Sequence, residues 1–153
     1  MFLGHVLSKD GVAVDDEKIR RVKQCPVPET QTQLKRFLGL CNYYRRFVSG
    51  YAKIVSPMNT LLKGDKQGKF KPGDWTEQCQ EAFDTLKSAL TTAPILAFPD
   101  MNKEFVLSTD ASGSAIGYVL GQKVGRGKEQ VIAYGGRALT KDEKKWSVTE
   151  RPP

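Results

Sequence analysis

The sequence predicts an α+β fold: a short β-hairpin, then amphipathic helices, then a three-stranded antiparallel sheet with one packed helix. Three observations carry this. Residues 2–8 and 11–14 form two short apolar runs about the turn Lys9-Asp10-Gly11, and Asp-Gly is a strong hairpin signal. Apolar residues then recur at helical spacing in the 30–62 region and again over 76–90. Last, Phe105-Val106-Leu107 and Ala115–Leu120 are β-rich runs joined by Ala111-Ser112-Gly113-Ser114, a second hairpin, and Gln130–Tyr134 supplies a third strand.

The helical part reads in order. Asp15 and Asp16 stand at the N-terminus of a short helix over 17–24, where acids favour the helix dipole, so this adjacent pair is a cap and not a catalytic diad. Ile19 and Val22 point inward, and Cys25-Pro26-Val27-Pro28 ends the helix, because proline denies α geometry to the residue before it. Thr30-Gln31-Thr32-Gln33 is a capping box opening the next helix, whose buried stripe is Leu34, Phe37, Leu38 and Cys41. The same helix is expected to continue through Asn42-Tyr43-Tyr44-Arg45-Arg46-Phe47 and to close at Ser49-Gly50. Ser56-Pro57 is expected to start another, with Met58, Leu61 and Leu62 inward. Residues 64–73 are polar, basic and glycine-rich, a linker and a boundary. Beyond it, Thr76 caps a helix whose one face carries Cys79, Ala82, Phe83, Leu86, Ala89 and Leu90.

Asp110 sits where the Phe105 run ends. A carboxylate on a rigid strand end can hold a hard cation, and it can equally cap the turn beside it through an Asx-type hydrogen bond. Both readings stay open on spacing alone.

Composition narrows the classes. A 39% hydrophobic fraction with 27% charged residues is that of a globular protein, and no apolar run approaches the roughly 20 residues of a membrane helix. Cys25, Cys41 and Cys79 are far apart and accompanied by a single histidine, His5, which excludes a zinc site and fits a reducing, intracellular compartment. The net charge of +7 is uneven. Residues 1–72 hold fourteen Lys/Arg against six Asp/Glu, whereas residues 73–153 hold ten against eleven. A basic half beside a neutral one points to a polyanion; ordinary solubility charge is the competing reading. Within that half, Arg45 and Arg46 are better candidates for phosphate contact than Tyr43 or Tyr44, since some of those aromatics must pack inward.

Five segments together resemble one family, the Pol polyprotein of gypsy-type LTR retrotransposons: FLGHVLSKDG, LKRFLGLCNYYRRFVSGYAKIVSPM, WTEQCQEAFDTLKSALTTAPILAFPD, FVLSTDASGSAIGYVLGQ and VIAYGGRAL. The resemblance covers nearly the whole chain, in the family's order. It implies a palm-end, primer-grip-like hairpin over 1–14, with Gly4 and His5 near the primer end. It implies a helical reverse-transcriptase thumb and linker over 15–72, contacting nucleic acid through Lys35, Arg36, Arg45, Arg46 and Lys53. Residues 73–153 then resemble the connection helix and the start of an RNase H-like domain. Asp110 matches that domain's first metal-binding aspartate, and Mg²⁺ is the family's cofactor. The implied partners are a primer–template duplex or an RNA–DNA hybrid, with no membrane.

The departures bear on activity. The polymerase's paired aspartates would precede Met1, and by alignment the second RNase H acid falls at Pro152; Glu150, two residues earlier, does not inherit its role. Two-metal cleavage needs several carboxylates converging on ions about 3.5–4 Å apart. The chain is therefore expected to be inactive, binding Mg²⁺ at most weakly through Asp110 and retaining nucleic-acid binding. Rival readings are a host-retained nucleic-acid-binding protein and a nuclease completed by another chain. With only the 76–90 helix to cover it, the sheet is expected to expose apolar surface and self-associate.

Overall fold

The Asp10-Gly11 turn joins β1 (His5–Ser8) to β2 (Gly11–Val14) in the computed structural model, which describes residues 4–113, 115–124 and 128–139. Gly11 has a φ of 140°, and a Cβ there would run into the Leu96 carbonyl. The close approach is used: Val12 and Leu96 exchange two backbone hydrogen bonds of 2.8 Å, and the Ala97 amide donates to the Val131 carbonyl at 2.8 Å. One extended segment thus ties the first hairpin to the last strand.

The expected caps form. Asp15 accepts from the Glu17 amide and starts α1 (Asp16–Gln24). Thr30 accepts from the Gln33 amide at 3.1 Å and starts α2 (Gln31–Tyr43), while the Gln33 side chain accepts from the Glu29 amide at 2.8 Å. The buried face of α2 is the expected stripe of Leu34, Phe37, Leu38 and Cys41. The helix ends earlier than the sequence predicts: Arg45–Phe47 is a separate 3₁₀ turn, because Tyr44 is fully buried and its backbone leaves α geometry.

A second boundary is corrected. The helix expected to start at Ser56-Pro57 is α3 (Tyr51–Asn59), which begins six residues earlier and carries Pro57 inside it. Gly50, at a φ of 72°, makes the entry turn. Pro57 removes one backbone donor, and burial of Val55 and Met58 offsets that loss. A short 3₁₀ turn, Thr60–Leu62, follows.

The 64–72 stretch is pinned to the helices. The buried Gln31 amide donates to the carbonyls of Leu61 and Gly64, both at 3.0 Å, and its oxygen accepts from the Lys66 amide at 3.4 Å. The Phe70 amide donates to the Glu29 carbonyl at 2.7 Å.

Helix α4 (Glu77–Thr91) buries Cys79, Ala82, Phe83, Leu86 and Leu90 as predicted, but against different neighbours. It packs on α1 and α3, and the Phe83 ring lies 4.7 Å from that of Phe37. The elements lying against the sheet are α3 and the Arg45–Phe47 turn. Covering of the sheet by the 76–90 helix is thus corrected: its apolar stripe completes the helical core instead.

The sheet is antiparallel in the order β3 (Phe105–Ala111), β4 (Ala115–Val124), β5 (Lys128–Ala138). The last strand is longer than the predicted 130–134. A bulge between Leu120 and Gly121 shifts the β4–β5 register. Gln122, buried at 4% exposure, donates to the Asp100 and Lys103 carbonyls and accepts from the Asp100 amide, holding the turn that enters β3. Phe2, Leu3, Ser114, residues 125–127 and the 140–153 segment, with Glu150 and Pro152, lie outside the described residues.

Candidate nucleic-acid interface

Helical geometry decides which side chains of α2 face outward. With Leu34, Phe37, Leu38 and Cys41 buried, the opposite face presents Lys35, Arg36, Gly39, Asn42 and Tyr43, all exposed. Gly39 has open space where a Cβ would stand, so the helix backbone itself is accessible between the cations and Tyr43. Arg45 and Arg46 continue this surface on the 3₁₀ turn. Arg45 reaches the Asn42 side chain at 3.5 Å, and the Arg46 guanidinium lies 5.3 Å from the Phe47 ring centroid. The inward and outward split among the aromatics is sharp: Tyr44 and Phe47 are buried, and Tyr43 is 52% exposed.

Gly4 and His5 take a different place. The Gly4 carbonyl accepts from the Tyr44 hydroxyl, and the His5 ring sits 5.2–5.8 Å from the rings of Tyr43, Tyr44 and Phe47. They anchor the hairpin to the end of α2, beside the arginines. Burial raises the Tyr44 phenol above its usual range and raises Tyr51, whose hydroxyl donates to the Leu38 carbonyl, further still. Both remain neutral donors at physiological pH.

Among the described residues, clefts lie between the helices and the sheet. One, of about 180 Å³, has Ser49, Gly50 and Lys53 on its helical wall and Ser108, Asp110 and Gly117 on its sheet wall. The structure therefore brings Asp110 and Lys53 to one cavity, a pairing the sequence did not indicate. A second, of about 530 Å³, is lined by Tyr43, Arg45, Arg46, Tyr51, Tyr118 and Tyr134 with neighbouring backbone. Sequence reasoning missed Tyr118 altogether.

Asp110 is exposed on β3 opposite Gly117, and the turn after it is closed by Ser112, whose hydroxyl bonds the Ala115 backbone. Among the described residues, no three His, Cys, Asp or Glu side chains gather so as to hold a metal ion. The described carboxylates thus do not fit a two-ion centre. No described helix is long and apolar enough to cross a membrane.

Comparison with known proteins agrees with this layout. The RNase H-like domain found in reverse transcriptase matches residues 75–152. Over 98% of its length the chain is 39% identical to the retrovirus-related Pol polyprotein from transposon opus, 41% identical to that from transposon 412 and 36% identical to that from transposon gypsy, all of Drosophila melanogaster. It spans only 12–16% of the length of those relatives. Among solved structures, the foamy viral protease-reverse transcriptase in complex with double-stranded DNA superposes with a TM-score of 0.82 at 25% identity, over 98% of this chain and 30% of that one. The same enzyme in complex with an RNA/DNA hybrid gives 0.79, covering 20% of that chain. The chain belongs to the family of RNase H-like domains found in reverse transcriptase and corresponds to a segment of retrotransposon Pol polyproteins.

Proposed function

We propose that the chain grips an RNA–DNA hybrid or primer–template duplex by its sugar–phosphate backbone, as part of a Pol polyprotein that is an RNA-directed DNA polymerase with RNase H activity. The observation that carries this is the exposed, acid-free face of α2 and the turn after it: Lys35, Arg36, Asn42, Tyr43, Arg45 and Arg46 around an open Gly39. Lys53, exposed on α3, is proposed as a further contact. Backbone contacts of this kind set register without reading sequence. That the solved neighbours are described as complexes with double-stranded DNA or an RNA/DNA hybrid supports the same partner. On this reading residues 1–14 act as the primer-end hairpin, 15–72 as the thumb and 73–153 as the connection and RNase H-like part, working inside the cell.

Asp110, the match to the RNase H-like domain's first metal-binding aspartate, is proposed to bind Mg²⁺ weakly. Cleavage would need further carboxylates beside it.

Titrating a labelled RNA–DNA hybrid at rising salt tests the grip. Neutralising five phosphates gives a slope of log affinity on log salt near about −4.5. Binding that ignores salt would remove the proposal. Mg²⁺-dependent cleavage of the hybrid, lost in Asp110→Asn, would favour the nuclease reading instead.

Self-association is a second proposal. Phe105 and Leu107 point to the same face of the outer strand β3 and are 44% and 62% exposed. Sedimentation should show a concentration-dependent dimer that Leu107→Lys abolishes; a monomer at all concentrations rejects it.

A further inference from the structure

The larger cleft is not accounted for by a duplex grip. Its volume, about 530 Å³, is that of a small-ligand site and far too small for a double helix. Its lining combines two arginines and four tyrosines and includes no carboxylate among the described residues. Tyr51 and Tyr134 in its lining are half-buried, whereas Tyr43 on the helical wall and Tyr118 on the sheet wall are 52% and 40% exposed.

Tyr118 is held in a particular way. It pairs across the sheet with Gly135, and a Cβ at Gly135 would collide with Cζ, Oη and Cε2 of the Tyr118 ring. The missing side chain lets the ring lie down over the neighbouring strand. One side of the ring is thereby supported by backbone, and Tyr118, which lines this cleft and the smaller one, is 40% exposed. A supported, partly exposed aromatic ring beside arginines is the arrangement on which unpaired bases stack while their phosphates meet the cations.

We infer that this cleft takes unpaired nucleotides of a single strand leaving the duplex, with Tyr118 as the stacking platform and Arg45 and Arg46 as the phosphate contacts. The inference rests on the duplex-grip reading for its location, but it requires a separate recognition: bases, not backbone, supply the gain. It also assigns a role to Gly135, which positions Tyr118 and lines the cleft with backbone alone.

The test compares one RNA–DNA hybrid in three forms, blunt, with a five-nucleotide single-stranded tail, and with the same tail made abasic, binding to the whole chain by fluorescence anisotropy. The tail should raise affinity about tenfold over the blunt hybrid, and the abasic tail should return it nearly to the blunt value. Tyr118→Ala should abolish the gain given by the tail, Tyr118→Trp should keep it, and Gly135→Val should reduce it by displacing the ring. Equal affinity for blunt and tailed hybrids, or a gain that survives the abasic tail, overturns the inference without any variant having to fold. Polyglutamate that displaces the tail as well as a single-stranded oligonucleotide also overturns it, marking an acidic-protein surface. Failure of blunt hybrid to bind, with the tail still recognised, would count against the duplex grip and leave the cleft assignment standing.

Discussion

The Tyr44 hydroxyl donates to the Gly4 carbonyl at 2.6 Å, joining the first strand's entry to the end of α2 across forty residues of chain. Gly4 needs to be glycine twice over: its φ is 79°, and a Cβ would stand 2.8 Å from the Tyr44 oxygen. With the His5 ring set among Tyr43, Tyr44 and Phe47, this contact fixes the hairpin relative to the helix that carries the exposed cations. Residues that the family resemblance assigns to the primer end are, in the free protein, the joint between two surfaces that would have to meet one duplex together.

That joint can be weakened by one atom. Tyr44→Phe removes the hydroxyl and leaves the Gly4 carbonyl without its short bond, at an expected cost of about 1–2 kcal/mol in urea unfolding. Hydrogen exchange should quicken over His5–Val14 and stay unchanged in α4. Gly4→Ala should cost more, since it adds both strain and a clash. An unchanged unfolding midpoint for both variants would show the joint to be unimportant.

Gln31 offers a second check. Its side chain satisfies the Leu61 and Gly64 carbonyls and the Lys66 amide from a position only 7% exposed. Gln31→Leu keeps the volume and strands those groups, so stability should fall by about 2–4 kcal/mol. Trypsin should then cut faster after Lys63, Lys66 and Lys69. Slow cleavage in the variant would mean that Phe70 and the Lys69–Glu29 ion pair at 3.4 Å hold the stretch without Gln31.

Gln31 and the likewise buried Gln122 show what the sequence could and could not reveal. Caps, hairpins and buried stripes were legible because each depends on residues close in the chain: Asp15, Thr30 and Thr76 cap amides two or three residues on, and the α2 and α4 stripes are buried as spacing requires. Gln31 was legible only as part of a capping box, and Gln122 not at all, because their partners lie nineteen to thirty-five residues away. The misplaced start of α3 has a related cause. Ser56-Pro57 is a strong local start signal, and the tertiary burial of Val55 and Met58 outweighs it. Which layer α4 joins was likewise beyond reach, since an apolar stripe does not name its neighbour. At the interface, the exposed Arg45 and Arg46 were singled out from the residues, and the likewise exposed Lys35 and Arg36 from the family resemblance. Tyr118 was not, since its exposure follows from a glycine on another strand.

Stability should fall at alkaline pH. Desolvation pushes the Cys41 thiol from an ordinary 9.0 up to about 12, with the neighbouring Cys25 thiol adding to it, and burial likewise raises Cys25, Tyr44 and Tyr51. Each group is neutral when protonated, so a raised folded value favours the folded state fully only below the unfolded value. As pH climbs from about 9 toward 12 the unfolded chain ionises at Cys41 and the folded chain does not, and the difference is lost to the unfolded side. Urea midpoints should be level between pH 7 and 8 and decline above about 9. Cys41→Ala should lessen the decline, although its lost packing lowers the whole curve. A midpoint that holds steady to pH 11 would contradict the buried, protonated thiol.

The cations of α2 should be separable from cations elsewhere by salt as well as by affinity. Arg36 stands on the exposed face of α2, whereas Arg21 lies on α1 in an ion pair of 3.4 Å with Glu17. Both are exposed arginines on helices, so their removal changes net charge and stability alike; exposed pairs of the second kind contribute little to stability. If Arg36 contacts a phosphate, Arg36→Ala should weaken hybrid binding severalfold, equally for all sequences, and reduce the salt slope by about 1. Arg21→Ala should leave the slope unchanged and shift affinity only slightly, through long-range field alone. Equal losses in the two variants would mean that net charge, and not the face of α2, attracts the nucleic acid. Measuring both at two salt concentrations therefore decides whether the basic half of this chain is a site or merely a charge.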